Sequence, residues 1–271
     1  MERRSHVEVR RWRYAEGAVQ ETEDWLATEE GLEVRINHRP FTVLMRTPGN
    51  DEELATGFLV TEGIVRAPGD LLGVHVVVNP TDPHRGHIVD TAVAPETLAR
   101  ANVRDRSFFA SSACGVCGRT RLEDLALPFG RVESPLRISR RVLGGLPEAL
   151  RKAQPLFERT GGLHGAALFT TDGALLAARE DVGRHNAVDK VVGWAYREKR
   201  LPLSDAVLLV SGRAGYDILQ KAVAAGIPVV AAIGAPSSYA CRLAQDHGVT
   251  LVGFLRADTL NVYTHPDRVT P

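Results

Sequence analysis

Apolar and polar positions change their rhythm part-way along the chain. In LEVRINHRPFTVLM (32–45) two short apolar runs flank Asn37–Pro40, which predicts a hairpin. NDEELATGFLVTEGI (50–64) reads as a helix, with Leu54, Phe58 and Thr61 on one face. Asn50 is its expected N-cap, with Glu53 reaching back. Strands follow at Leu71–Val78 and His87–Val93, separated by NPTDPHRG (79–86), which is turn chemistry. Residues 7–105 therefore read as mixed short strands with one helix.

Residues 160–256 alternate strands with helices. HGAALFT and ALLAARE are two strands about the turn Thr171-Asp172-Gly173, and RHNAVDKVVGWAYREK is a helix whose stripe is Ala187, Val188, Val191, Val192 and Ala195. Strand DAVLLV (205–210), helix YDILQKAVAA (216–225), strand IPVVAAI (227–233), helix SSYACRLAQDH (237–247) and strand VTLVGFL (249–255) follow, with Gly226 and Gly248 at helix ends. Short continuous β-branched strands are buried on both faces, and their alternation with helices predicts a parallel sheet in an α/β layered lobe.

Composition narrows the function classes. The 271 residues suffice for one large or two ordinary domains, and 44% hydrophobic residues supply a core. With 33 basic and 33 acidic residues, no whole-chain charge draws the protein to nucleic acid or to a membrane surface. No stretch approaches the ~20 apolar residues that span a bilayer, and MERRSHVEVRRWRY has no signal-peptide core. Three cysteines make no disulfide framework, so a cytoplasmic, reducing location is expected.

Open α/β sheets bind ligands beyond the carboxyl ends of their strands. Four segments fall there: REDVGRHN (179–186), SGRAG (211–215), GAPSS (234–238) and RADTLN (256–261). They offer Ser211, Gly212, Arg213, Ser237, Ser238 and Arg256, small residues that admit a ligand to the backbone and arginines suited to phosphate. A pocket for a phosphorylated, nucleotide-like ligand is expected, although Gly, Ser and Pro are also ordinary turn residues. No GxGxxG or GxxxxGK[ST] occurs. In the longer polar stretch REDVGRHNAVDK (179–190) His185 and Asp189 lie one helical turn apart and could hydrogen-bond, and Asp181 could be an N-cap. His164 opens the lobe's first strand and could face the same edge.

SSACGVCG (111–118) carries Cys114 and Cys117. Zinc needs three or four ligands, and this pair supplies two, with Ala113 where zinc deaminases place proline. Dithiol redox chemistry prefers a cysteine at a helix start, whereas glycine follows each cysteine here, so the segment reads as a mobile loop. A helix could begin just beyond it, in RTRLEDLAL (119–127). Sulfur transfer through a thiolate persulfide is the third reading.

TGFLVTEGI (56–64), SSACGVCG (111–118), TGGLHGAALF (160–169), REDVGRHNAVDKVVGW (179–194), SGRAGYDILQKAVAAGIP (211–228) and GVTLVGFLRADTLNVYT (248–264) together resemble the formate dehydrogenase accessory sulfurtransferase family, FdhD. The resemblance implies a sulfurtransferase that receives sulfur from a cysteine desulfurase as a persulfide on Cys114, with Cys117 assisting. It implies delivery to the molybdenum cofactor, bis(molybdopterin guanine dinucleotide), for formate dehydrogenase as client. It maps the cofactor-binding segment onto Phe254, Leu255, Arg256, Ala257, Asp258 and Thr259. It further implies a homodimer and a large lobe similar to the cytidine deaminase fold without its zinc. The expected architecture is α/β: an N-terminal α+β lobe (1–105), a CxxC loop and linker (106–135) and a three-layer α/β/α lobe (136–271). SSAC stands where many relatives have a third serine. The rival function is a cofactor-binding chaperone in which CGVC is only a redox or metal clasp.

Overall fold

A computed structural model describes residues 5–15, 17–77, 87–101 and 127–271. Cys114, Cys117, most of the 106–135 linker, the expected helix at 119–127 apart from Leu127, and the turn at 79–86 lie outside the described residues.

The charged N-terminus, in which no strand pattern was legible, forms a hairpin of β1 (His6–Ala15) and β2 (Ala18–Ala27). Its strands are held by backbone pairing and by cross-strand ion pairs, Arg10–Glu21 and Arg11–Asp24, not by an apolar face. At its base Trp25 stacks under Arg159, whose guanidinium carbon is 4.6 Å from the ring centroid.

The predicted hairpin is β3 (Glu30–Ile36) and β4 (Arg39–Arg46), turning at Asn37 and His38, both with positive φ as a tight hairpin turn requires. With β5 (Leu71–Val77) and β6 (His87–Val93) it makes a sheet of order β4-β3-β6-β5. The helix α1 (Asp51–Thr61) is buried at every position from Leu54 to Thr61, more than the single face expected. The expected cap is absent: Asn50 is left-handed and its side chain caps nothing. The first-turn acids instead make charge-assisted pairs, Asp51 with Arg46, Glu52 with Arg197 and Glu53 with Arg179. The largely buried pairs of Asp51 and Glu53 are stronger than a neutral cap, whereas the exposed Glu52 pair adds little.

After α2 (Pro95–Ala101), the short β7 (Ile138–Ser139), α3 (Arg140–Lys152) and α4 (Pro155–Thr160) come the strands of the main sheet. These are β8 (His164–Phe169), β9 (Leu175–Asp181), β10 (Val207–Val210), β11 (Val229–Ala232), β12 (Thr250–Gly253) and β13 (Asn261–Val262), in the order β13-β12-β11-β10-β8-β9. A short β14 (Val269–Thr270) pairs with β7. The sheet is mixed rather than parallel throughout: β10, β11 and β12 are parallel, while β8 runs antiparallel to both β10 and β9. The β8–β9 hairpin inserts with its first strand against β10, a pairing that periodicity does not encode.

The remaining helices are α5 (Arg184–Arg197), α6 (Tyr216–Ala224) and α7 (Ser238–His247). Ala225 and Gly248 close the last two, with Gly226 and Gly248 at positive φ. One face of the main sheet (Leu168, Leu208, Val230, Leu251) packs with α1, α5, α6 and α7. The opposite face (Phe169, Leu209, Ala231, Val252) packs with Leu143, Leu146 and Leu150 of α3. The result is three layers, and α1 of the N-terminal segment shares the core of the larger sheet.

Two buried ion pairs tie these helices. Lys190 pairs with Asp181 at 2.8 Å and donates to the carbonyls of Thr47 and Glu180. Lys221 reaches both oxygens of Asp189, at 2.9 and 2.8 Å, and Thr61 Oγ1 donates to the same carboxylate at 2.7 Å. Asp189 is thereby occupied between α1 and α6 and makes no hydrogen bond to His185, contrary to the one-turn spacing. The reason is rotation: Asp189 faces the α1–α6 seam, where a lysine supplies a full counter-charge.

Candidate functional site

Because β9 runs parallel to β10, all four predicted segments come to one edge of the main sheet. His164 joins them there, since β8 begins where its neighbours end.

The edge has a floor of backbone. Gly234 N–H donates to Gly212 O at 2.9 Å, Phe254 N–H to Gly234 O at 3.1 Å, and Ser237 N–H to Ala214 O at 3.0 Å. A Cβ at Gly234 would lie 2.8 Å from Gly212 O, and one at Gly253 would lie 2.7 Å from Pro236 Cδ. Close approach of the three loops therefore requires glycine. Two helices point their N-termini at this edge from Gly183 and Gly215, residues with no side chain to occupy the free N–H groups. The third, α7, is capped by Ser237 Oγ, which accepts from Ala240 N–H at 3.1 Å.

The predicted residues divide by role. Ser211 is not free: its Oγ accepts from Gly165 N–H at 2.9 Å and locks β8 to the loop. Gly212 is floor, and Arg213 is exposed beside it. Phe254 is 45% exposed and left-handed (φ 51°), an apolar side chain presented at the end of β12. Leu255 is core. Arg256 is exposed, and its Nη1 donates to the carbonyls of Ile233 and Leu255 at 2.7 and 2.8 Å, so part of its fork braces the loop. Ala257, Asp258 and Thr259 are exposed, with Thr259 O accepting from Arg256 N–H at 2.8 Å and Ala257 O pressed on Gly144 of α3. The 254–259 loop is thus seated on α3, an element the sequence pattern did not mark.

Asp181 is no helix cap. It is fully buried at the end of β9, where it accepts from Gly183 N–H (2.9 Å), Asn186 Nδ2 (2.9 Å) and Thr47 N–H (3.1 Å). Sequence reading missed Asp217. It is buried at the start of α6 and pairs with Arg184 Nε at 2.9 Å, fastening the α5 start to the α6 start. An acid one position into a predicted helix, with a basic loop upstream, was the available signal. Two histidines stand at this edge with lowered pKa. Burial and then the Arg184 charge push His164 down, with Asp181 opposing. Burial and then Lys221 push His185 down to about 4. Among the described residues no group of three His, Cys, Asp or Glu side chains is placed to hold a metal, and no helix is long and apolar enough to cross a membrane.

This arrangement can hold an anionic ligand: uncapped helix starts, small-residue loops and an exposed arginine supply donors and positive potential, with an aromatic face at one side.

Comparison with known proteins adds the lineage. The model of the FdhD/NarQ family matches residues 27–270. The chain is 50% identical over 252 residues to the sulfur carrier protein FdhD of Mycobacterium tuberculosis, covering 90% of this chain and 91% of that protein. It is 46% identical to the FdhD of Streptomyces coelicolor (99% and 95% covered) and 42% identical to that of Sulfolobus acidocaldarius (92% of each). The fold matches the crystal structure of a Desulfotalea psychrophila protein assigned as a formate dehydrogenase accessory protein, with TM-score 0.80 and 24% identity over 98% of this chain and 100% of that one. By the extent of its family match and by relatives of this identity along nearly its whole length, the chain belongs to the FdhD/NarQ family.

Proposed function

We propose that the protein is a cytoplasmic sulfur carrier serving formate dehydrogenase. Cys114 accepts sulfur from a cysteine desulfurase and delivers it to the molybdenum cofactor, bis(molybdopterin guanine dinucleotide), bound at the strand-end edge. The carrying observation is the family match over residues 27–270, which spans both the CGVC segment and that edge, together with relatives that are named sulfur carriers.

The chemistry balances with the groups present. The thiolate of Cys114 attacks the outer sulfur of the donor's persulfide; the new S–S bond forms on Cys114 and the donor leaves as thiolate. Cys117 then attacks Cys114, forming the Cys114–Cys117 disulfide and expelling hydrosulfide. The sulfane sulfur is reduced to sulfide as the two thiols are oxidised. Hydrosulfide and one proton replace an oxo ligand of the substrate's molybdenum, which leaves as water. The floor glycines, the free helix starts of α5 and α6 and Arg213 hold the phosphates of the guanine dinucleotide. Arg256 keeps its Nε and Nη2 hydrogens for the same ligand. A homodimer would offer two such edges to a substrate with two nucleotide tails.

Intact mass tests the reading. After incubation with a cysteine desulfurase and cysteine, the protein is expected to gain ~32 Da per sulfur atom, the mass of one sulfur added at a thiolate, and Cys114→Ala is expected to gain none. Both proteins should bind GDP equally, and Arg213→Ala should weaken GDP about tenfold, the loss of one charge-assisted contact. Full sulfur loading of Cys114→Ala would remove the assignment. Absence of loading with zinc bound would favour the cofactor-binding chaperone with CGVC as a clasp.

A further inference from the structure

His185, the second residue of α5, buries a ring nitrogen that makes no hydrogen bond. Its side chain is 13% exposed, and the nitrogen is Nδ1. The nearest carboxylate oxygen, Asp217 Oδ2, is 4.0 Å away and already accepts from Arg184 Nε at 2.9 Å. A buried ring nitrogen left unpaired forfeits its hydration with nothing in return, and an apolar side chain of similar shape would avoid that cost. Packing therefore does not explain a histidine here.

The charged and titratable groups acting on the ring come from each element around it. Lys221 and Asp217 come from α6, Arg184 from α5 and His164 from β8. Burial is the largest influence and Lys221 the next; both disfavour the imidazolium, and Asp217 offsets them only in part. The ring is therefore neutral at neutral pH. His164 borders the floor, since a Cβ on Gly212 would lie 3.4 Å from its Nδ1, so the histidine pair belongs to the ligand edge. The Arg184–Asp217 pair fixes the two helix starts between which the ring sits.

Building on the sulfur-carrier reading, we propose that His185 is the proton-transfer residue of the strand-end site and that Arg184 and Asp217 are its positioning pair. When sulfide replaces oxo on the bound substrate, a metal–oxygen bond breaks and a metal–sulfur bond forms. The two protons of hydrogen sulfide depart with the oxygen as water, and no electrons are exchanged. A neutral imidazole takes a proton from the entering sulfur and returns it to the leaving oxygen, ending as it began.

The test times the replacement of oxygen by sulfur in the molybdenum cofactor, read from the mass of the cofactor after it is mixed with persulfide-loaded protein, between about pH 3.5 and 8; loss of the ~32 Da increment from the protein itself, which Cys117 alone drives, is the control and should run equally in wild type and variant. His185→Gln is expected to transfer about 100-fold more slowly at neutral pH, the scale of one general acid–base group, with GDP affinity and melting temperature unchanged. Thiol ionisation is common to both proteins, so the ratio of wild-type to variant rates isolates the imidazole. That ratio should be constant above about pH 5 and fall several-fold as pH drops through about 4, where the base becomes protonated. His185→Asn, which keeps a donor near Nδ1, should be as slow as the glutamine variant. Wild-type rates in either variant, a pH-independent ratio, or slowing accompanied by lost GDP binding or lost stability would each overturn the inference. Failure of the wild-type protein to bind GDP or to lose sulfur would instead remove the sulfur-carrier reading, and this inference with it.

Discussion

Replacing Gly193 with alanine is expected to destabilise the protein severely. A Cβ at Gly193 would lie 1.8 Å from the carbonyl oxygen of Glu53 and 2.9 Å from the amide nitrogen of Gly57. Its counterpart at Gly57 would lie 1.8 Å from the carbonyl oxygen of Asp189. The helices α1 and α5 thus cross backbone to backbone at a pair of glycines. Glycine within a helix is disfavoured by ~1 kcal/mol relative to alanine, so each substitution should stabilise its own helix. The crossing outweighs that gain. Neither obstruction is a side chain that can rotate away, so the helices must separate. Separation would loosen Leu54, Phe58, Val188 and Val192, all of them core. A net loss of about 3 kcal/mol or more is expected, at or above the upper end of ordinary overpacking because the obstruction is backbone, against a typical total of about 5–15 kcal/mol. Guanidinium unfolding checks it, and an unchanged or raised midpoint for Gly193→Ala would show that the crossing is looser than described.

Lys221→Met is expected to cost about 3–5 kcal/mol near pH 8, because it leaves Asp189 ionised and buried with no counter-charge. Asp189 is 1% exposed and Lys221 4% exposed, so solvent cannot stand in for the missing ammonium. Burial already pushes Asp189 up to about 6, with Lys221 and Thr61 pulling against it. Removing Lys221 removes the larger opposing influence and raises the carboxyl further. The sign of the pH dependence follows. The folded variant takes up a proton at a pH where the unfolded chain, with an ordinary carboxyl, has none. Its stability therefore rises as pH falls from about 8 toward about 4; because the wild-type carboxyl itself is pushed up to about 6, the gap to wild type narrows above about pH 6 and is constant below it. Unfolding free energies measured across that window check it; a gap that widens on acidification would contradict the assignment of Asp189 as the stranded charge. Asp189→Asn should be destabilising across the same window without the recovery, since Lys221 then becomes the stranded group.

Much of the element pattern was legible in the residues. Turn chemistry at Asn37-His38 and glycine at the ends of two helices are local signals, set by φ preferences that act within a few residues. Apolar runs of four to six residues marked β10, β11 and β12 because strands buried on both faces have no polar alternation. The β1–β2 hairpin escaped because one strand concentrates basic residues (Arg10, Arg11, Arg13) and the other acidic ones (Glu21, Glu23, Asp24), so the stabilising partners sit on the opposite strand. The cap expected at Asn50 failed for a related reason: Glu53 had a local partner available, and Arg179, 126 residues away, was a stronger one.

The candidate site shows the same division. Its loops could be named from sequence because ligand edges follow strand ends in α/β folds, and the glycines and arginines there are properties of short segments. The sequence also determined the lineage, through ordered motifs that extend from α1 to β13. Only the tertiary structure decided that β8 runs against its neighbours, and so brings His164 to the ligand edge. Only it decided that Ser211 braces a strand, that Arg256 is partly committed to carbonyls, and that His185 turns inward beside an Asp217 already held by Arg184. Those outcomes depend on which distant group arrives first at a given hydrogen bond. Sequence spacing constrains the neighbours along one element, whereas competition between elements for the same donor or acceptor is settled only when they pack.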